Sequence, residues 1–193
     1  MTASYDTRDG GVDTANWGAP QSRVITWHDP VATQTAASSM SGLSYWRAVA
    51  DRRLPAPPIS ALMRMNVVDV ADGRITFTCE PDGSMYNALG IVHGGMACTI
   101  LDTATGCALH TTLPPGVGFT SIEIKVNYLK AVTVDSGTLT AIGTVVKAGS
   151  RIGFAEAELT DASGALVATA TSTLMKIDLR STATPSNTNG NHS

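Results

Sequence analysis

The chain has 193 residues, a length that is typical of one domain with flanking segments. Charged residues make up only 15% of it, against roughly 25% in an ordinary soluble domain, so we expect another subunit or a ligand to cover part of the surface. The formal net charge of −3 excludes a nucleic-acid-binding protein that relies on overall positive charge. No apolar run approaches the ~20 residues that cross a bilayer, so we expect no membrane partner.

Composition along the chain predicts three segments. Residues 1–38 are rich in small and polar residues without a sustained period, which predicts an extended, partly disordered arm. Trp17 and Trp27 would attach the arm to the body, and the alternative, a freely disordered segment, fits the composition equally well. Residues 39–180 are expected to form the domain, and residues 181–193 a disordered tail.

Hydrophobic periodicity predicts two helices and six strands within the domain. One helix is expected within 39–53, and a second, apolar throughout, over 94–111. The predicted strands are 65–71, 74–80, 119–130, 137–148, 151–161 and 165–177. Their short connections favour antiparallel neighbours, so we expect an α+β fold in which a six-stranded antiparallel meander wraps around the long helix.

The cysteines and the first residues of the chain bear on the compartment. Cys79, Cys98 and Cys107 are odd in number and lack metal-type spacing, and the four histidines are scattered, which predicts reduced thiols, no structural metal and no cofactor. The N-terminus carries acidic residues where a signal peptide needs a basic patch, so we expect a cytoplasmic protein.

Asp102 is the first candidate for chemistry. Between Asp82 and Glu123 it is the only Asp, Glu, Lys or Arg, and it lies in the middle of the long apolar helix. A carboxylate held away from water costs free energy unless it is paired, hydrogen-bonded or used, so Asp102 is a candidate general base. The alternative is a carboxylate that is hydrogen-bonded to a neighbour for structure alone.

His93, Gly94 and Gly95 stand at the start of the same helix. The first N–H groups of a helix lack intrahelical partners, and glycines allow a ligand oxygen to approach them closely, which is how an oxyanion hole is built. The alternative is that the two glycines allow a tight strand-to-helix turn, with His93 near the cap.

The spacing of the two features predicts a dimer. Gly94 and Asp102 are eight residues apart in sequence, about 12 Å along a helix. Asp102 therefore cannot act on a carbonyl held at Gly94 of its own chain. If both serve one reaction, the antiparallel helix of a second subunit must supply Asp102, which gives a two-fold dimer with two composite sites.

The segment NALGIVHGG over 87–95, followed by Asp102, resembles the hotdog-fold acyl-CoA thioesterases of the PaaI-like (phenylacetate pathway) type, and the segment SIEIKVNYLK over 121–130 resembles the strand after their helix. The resemblance covers about residues 58–177. It implies a hotdog fold, a homodimer that pairs again into a tetramer, and hydrolysis of a medium-chain or aryl acyl-CoA to the free acid and CoA.

The resemblance also assigns roles to the catalytic residues. Gly94 would donate the backbone N–H that polarises the thioester carbonyl, and Asp102 of the partner subunit would be the general base or the nucleophile. Asn87 would position the water or the carboxylate, and His93 would fix the loop and Asn87. Ser121, with Thr120 as the alternative match, would lie near the acidic residue of the other subunit.

Substrate contacts are expected around the same loop and at one hairpin. Gly95 would leave room for the substrate, and Tyr86 would line the acyl pocket. For the CoA phosphates we favour Lys147 and Arg151 over the other basic candidates, although lysines on strands also serve to discourage edge pairing. Those other candidates are Lys125 and Lys130.

Two departures from the family pattern and two other functions remain. Ala88 stands where many relatives have Pro, and Lys130-Ala131 where many have Arg-Pro, which leaves the loop geometry and the CoA contacts open.

An enoyl-CoA hydratase would need a histidine paired with the acid, and His110, eight residues beyond Asp102, has the wrong spacing. A non-catalytic acyl-CoA-binding module, with the arm contacting a partner, is the main alternative.

Overall fold

The computed structural model describes residues 18–179, which contain four α-helices, two short 3₁₀ helices (Gly83–Met85 and Val134–Ser136) and six strands. The helices are α1 (Pro30–Ser39), α2 (Gly42–Ala50), α3 (Pro58–Leu62) and α4 (Gly94–Thr111). The strands are β1 (Met65–Ala71), β2 (Arg74–Cys79), β3 (Val117–Tyr128), β4 (Leu139–Ala148), β5 (Ile152–Thr160) and β6 (Leu166–Asp178). Trp17 and the predicted tail over 181–193 lie outside the described residues.

The six strands form one antiparallel sheet in the order β1-β2-β4-β5-β6-β3. The α+β prediction is thus confirmed, but the predicted meander is wrong at β3, which pairs with β6 at the sheet edge instead of with β4. Residues 129–138 connect β3 to β4, and this connection is longer than those of the true hairpins. It is long enough for the chain to return from the edge to the middle of the sheet.

Helix α4 packs directly on the sheet, and the closest approach is at a glycine of β4. A Cβ added at Gly143 on β4 would lie 2.1 Å from the carbonyl oxygen of Ala104, so only glycine allows this approach. On the helix side, Ile100, Leu101 and Leu109 are at most 1% exposed. The long predicted helix is confirmed, and its buried face forms the centre of the core.

Helix α2 packs against the C-terminal half of α4. Its Trp46 is buried, and the indole Nε1 donates a hydrogen bond to Nδ1 of His110 at 3.0 Å. The helix begins at the cap residue Ser41, whose Oγ accepts from the backbone N–H of Ser44 at 3.3 Å. The helix predicted within 39–53 is therefore confirmed, with tighter bounds.

The arm differs from its prediction in two respects. Residues predicted as extended form helix α1, which starts at Pro30 after Asp29, whose carboxylate accepts from the N–H of Val31 at 2.8 Å. Trp27 is 62% exposed and does not attach the arm to the body. Arg23 does so instead, since its guanidinium donates to the Asp82 carboxylate at 2.7 Å and to the Leu62 carbonyl at 2.9 Å.

No helix within residues 18–179 is both long and apolar enough to cross a membrane. Over the same range, no group of His, Cys, Asp and Glu side chains is arranged to hold a metal ion.

Candidate active site

The N-terminus of α4 is fixed by its cap residue, His93. Nδ1 of His93 accepts a hydrogen bond from the N–H of Gly95 at 2.8 Å, and the His93 N–H donates to the carbonyl of Met85 at 2.8 Å. A Cβ at Gly95 would lie 2.9 Å from that Nδ1, so glycine is needed for the cap to form. The His93 side chain therefore caps the start of the helix, and its hydrogen bond is to Gly95 rather than to Asn87.

Asn87 organises the loop that leads to the helix. Its side-chain oxygen accepts from the N–H of Leu89 at 2.8 Å, and its backbone N–H donates to the carbonyl of Ile91 at 2.8 Å. Within the described part of the chain, the side-chain Nδ2 of Asn87 donates to no protein atom. This amide is therefore available to a water or a ligand.

The backbone N–H of Gly94 is the donor that the cap leaves unused. The His93 ring occupies the N–H of Gly95, whereas the Gly94 N–H finds no acceptor among residues 18–179. The Tyr128 hydroxyl donates to the Gly94 carbonyl at 3.1 Å, and a Cβ at position 94 would lie 3.2 Å from Cζ of Tyr128. Gly94 thus presents one free donor between the loop and the Tyr128 ring.

A cavity of about 320 Å³ opens onto this donor. Asn87, His93, Gly94 and Tyr128 line it together with apolar residues, among them Val92, Ala97, Leu139 and Val167. Its one lining lysine is Lys130, whose ammonium is paired with the carboxylate of Asp161. That ion pair, together with hydrogen bonds from Ser163, holds the pKa of Asp161 well below its usual range.

Asp102 forms a second cluster with Ser121. The Ser121 hydroxyl on β3 donates to Oδ1 of Asp102 at 2.7 Å, and Oδ2 accepts from no side chain or N–H within residues 18–179. The bond joins two residues of one chain, and the expectation that Ser121 also lies near the acid of the other subunit stays a prediction. Ser121 and not Thr120 makes this contact, which leaves one carboxylate oxygen of Asp102 free for a water.

The two clusters are separate within one chain. Asp102 does not line the cavity at Gly94, and the two residues are about 12 Å apart along α4. The partly exposed stripe of α4 contains Cys98 and Asp102, and it lies beside β3, which is an edge strand. Neither cluster therefore combines the free N–H of Gly94 with the carboxylate of Asp102.

The two basic residues predicted to bind the CoA phosphates lie away from Gly94. Lys147 and Arg151 flank the β4–β5 turn. This end of the sheet adjoins the C-terminus of α4, because the Val145 N–H donates to the Gly73 carbonyl and the Gly73 N–H donates to the Thr111 hydroxyl, both at 2.8 Å. Within one chain, Lys147 and Arg151 are thus at the opposite end of α4 from Gly94.

Tyr86 forms a hydrogen bond to a loop and also lines a cavity. Its hydroxyl accepts from the N–H of Val134 at 2.8 Å, in the connection between β3 and β4. The ring lines a second cavity, of about 460 Å³, on the other side of His93 and Gly95. Arg23 of the arm also lines this cavity, and nothing in the sequence distinguishes it from the other arginine of the arm, Arg8.

A larger groove, of about 850 Å³, lies between the arm and helices α2 and α3. It contains none of the predicted site residues, so its size alone does not make it the site of the reaction.

His110 belongs to the core and not to the site. It is 8% exposed, accepts the bond from Trp46 and packs against the rings of Tyr45 and Phe119. Burial lowers the pKa of His110 from 6.5 to about 4, so the ring is neutral near pH 7. It makes no contact with Asp102, which argues against the hydratase alternative.

The two buried thiols are poor nucleophiles. Burial raises the pKa of Cys79 to about 11 and raises the pKa of Cys107 well above its usual value. Both are therefore protonated near pH 7, and a covalent thiol mechanism is not supported at either residue.

Residues 89–168 match the model of the thioesterase superfamily. The matched segment includes His93, Gly94, Asp102 and Ser121. An inferred esterase of Halobacterium salinarum is 34% identical over 101 residues, which are 50% of this chain and 65% of that protein. The match thus spans just under two thirds of the relative's length.

Two further comparisons agree. Human acyl-coenzyme A thioesterase 13 is 27% identical over 110 residues, which are 55% of this chain and 76% of the human protein. The structure of the PaaI protein from the phenylacetic acid degradation operon of Escherichia coli superposes with a TM-score of 0.62 at 21% identity, and covers 72% of this chain and 96% of PaaI. Residues 89–168 are thus similar to the thioesterase superfamily, and the chain has the hotdog fold of the PaaI protein.

Proposed function

We propose that the protein is an acyl-CoA thioesterase whose active site is shared between two subunits of a homodimer. The observation that carries this proposal is the division of the site along α4: a free N–H at Gly94 and a carboxylate at Asp102, about 12 Å apart on one helix. The acyl-CoA thioesterase activity that names the human relative supports the choice of substrate.

The dimer that completes the site places two α4 helices side by side and antiparallel. Gly94 of one chain then faces Asp102 of the partner subunit, and the two-fold axis repeats the arrangement at the other end. The edge strand β3 lies next to the same face of α4, as the bond between Ser121 and Asp102 shows. An unpaired edge of this length invites pairing, and the partner's β3 would cover it.

The reaction begins with the thioester carbonyl oxygen at the Gly94 N–H. Asp102 of the partner subunit takes a proton from a water through its free oxygen, while Ser121 of the partner subunit holds the other oxygen. The water oxygen attacks the carbonyl carbon, and the negative charge that develops on the carbonyl oxygen is stabilised at Gly94. The intermediate collapses, the C–S bond breaks, and the CoA thiolate takes the proton back from Asp102 of the partner subunit while the acid is released.

Asn87 has a positioning role in this scheme. Its oxygen is committed to the loop at the N–H of Leu89, so only its amide nitrogen can reach the cavity. From there it would orient the water or the carboxylate. Asp102 as a nucleophile, which would form an anhydride with the acyl group, uses the same residues and differs in the first step.

The substrate that we propose is a medium-chain or aryl acyl-CoA, because the cavities beside Gly94 and Gly95 have mainly apolar side chains. We also propose that two dimers pair into a tetramer and that the protein is located in the cytoplasm. The three cysteines, all of them free, are compatible with a reducing compartment.

The proposal is tested by release of free CoA from a panel of short, medium, long and aryl acyl-CoAs. Asp102→Asn keeps the volume of the side chain and removes the base, so we expect kcat to fall by about 100-fold or more. Asp72→Asn is the matched control, because Asp72 is exposed in the β1–β2 turn, where asparagine is equally suited. Near wild-type turnover by Asp102→Asn would contradict the mechanism.

A further inference from the structure

The cavity on the far side of Gly95 has one wall from α4 and another from the arm. Gly95, Met96 and Thr99 line it from the first turns of α4, and Arg23 and Leu62 line it from outside that helix. Its volume, about 460 Å³, is within the range of ligand-binding pockets, roughly 300–1,000 Å³. The arm therefore borders a space that adjoins the cavity at Gly94, since His93 lines both cavities.

Arg23 is held in this wall by two hydrogen bonds. Its guanidinium donates to Oδ2 of Asp82 at 2.7 Å and to the carbonyl of Leu62 at 2.9 Å, and its side chain is only 26% exposed. Asp82 in turn accepts from the N–H of Ser84 at 2.9 Å. Because the Met85 carbonyl accepts from the N–H of His93, Arg23 is linked by a short series of contacts to the cap of α4.

The chemistry of the cavity suits an apolar chain. Leu62, Met63, Met85 and Met96 are among its lining residues, and methionine side chains adapt readily to a flexible ligand. The charge of Arg23 is balanced by Asp82, so the guanidinium acts here as a fixed barrier more than as a partner for an anion.

We propose that Arg23 is a specificity-determining residue, which closes the acyl cavity and limits the length of the acyl chain. This inference rests on the proposed function, since the chain enters from a thioester held at Gly94. The first turns of α4 form the entry, and the arm forms the end of the cavity.

The test measures binding, so that it does not depend on turnover. S-alkyl-CoA thioethers of increasing chain length, which cannot be hydrolysed, are titrated calorimetrically into the full-length protein. For the wild type, Kd should fall about fourfold per methylene until the chain reaches Arg23, and then stop falling. In Arg23→Ala the fall should continue for about two further methylenes, because the barrier is gone.

Two variants accompany Arg23→Ala. Arg23→Gln keeps a hydrogen-bonding side chain of intermediate size. The break in the series, which is the chain length at which Kd stops falling, should therefore move less than in Arg23→Ala. Arg53→Ala removes an exposed arginine that pairs with Asp51 at 2.9 Å and does not line this cavity, and it should leave the break in place.

The outcomes separate this inference from the proposed function. A break at the same chain length in the wild type and both Arg23 variants would overturn the inference, as would failure of every thioether to bind. Turnover of acyl-CoA with an unmoved break would leave the thioesterase proposal standing alone. A break that moves, in a protein that hydrolyses no thioester, would uphold the role of Arg23 and overturn the hydrolytic proposal.

Discussion

At the scale of single residues, the hydrogen-bonding groups that the candidate site offers to a ligand are those left over after their neighbours have formed hydrogen bonds within the protein. His93 engages the N–H of Gly95 and thereby leaves the Gly94 N–H as the available donor at the start of α4. Ser121 engages one oxygen of Asp102 and leaves the other. In each cluster, the hydrogen bond made by one group determines which neighbouring group stays available.

His110 provides a pH-dependent test of the core. Its pKa is about 4 in the folded protein and about 6.5 when unfolded, so protonation favours the unfolded chain. The stabilising effect of the neutral ring is fully present above pH 6.5 and is lost as the pH falls towards 4. We expect this residue to contribute up to ~1.4 kcal/mol per pH unit to the fall in unfolding free energy over that interval.

Urea unfolding between pH 7.5 and 4.5, at constant protein concentration, checks this prediction. His110→Gln should be less stable at neutral pH but should show a shallower dependence on pH than the wild type. His28→Gln, which changes an exposed histidine of the arm, should leave the dependence unchanged. Equal slopes for wild type and His110→Gln would contradict the assignment of a neutral, buried ring.

At the scale of secondary-structure elements, the sequence predicts what periodicity and local turns determine. Helix α4 and the β1–β2 hairpin follow from an apolar run and an Asp-Gly turn, and both form as predicted. Helix α1 was not predicted because its small polar residues give no apolar stripe; a proline after a capping aspartate starts it. The position of β3 depends on its pairing with β6, which is distant in sequence. The alternation of apolar and polar residues along a strand does not specify which strand it pairs with.

The same limit applies to the site. The spacing of Gly94 and Asp102 predicts that one chain is insufficient, and the structure separates the two as expected. The pairing of Ser121 with its own chain's Asp102, and the contribution of Arg23, depend on contacts between segments distant in sequence. Neither could be predicted from residue type and spacing.

Cys98 reports on how two α4 helices pack. It lies midway between Gly94 and Asp102, so if each Gly94 faces the partner's Asp102, the two-fold axis passes near Cys98 and the two Cys98 side chains face each other. Packed helices are about 8–10 Å apart, which a short bifunctional thiol reagent can span. We therefore expect the reagent to produce a covalent dimer.

The other cysteines provide the controls. Cys79 and Cys107 are buried, whereas Cys98 is partly exposed, so Cys98→Ser should abolish the cross-link and Cys79→Ser should retain it. A protein that is dimeric in solution and does not cross-link through Cys98 would contradict the antiparallel arrangement of α4.

At the scale of the whole molecule, several features are explained together by a second copy of the chain. Only 15% of the residues are charged, β3 is an edge strand, and the stripe of α4 that contains Asp102 is not covered by its own sheet. Because β3 and this stripe adjoin at Ser121, one two-fold interface would cover both. The same interface would assemble two active sites.

Subunit mixing tests this central claim most directly. Asp102→Asn and Asn87→Ala should each be inactive as homodimers, since every site then lacks one catalytic group. In a mixed dimer, one site combines the intact Asn87 of the first chain with the intact Asp102 of the second. With random exchange, CoA release should recover to about a quarter of the wild-type rate, because half of the dimers carry one intact site out of two. No recovery in a sample shown to contain mixed dimers would contradict the shared site and place the whole reaction within one chain.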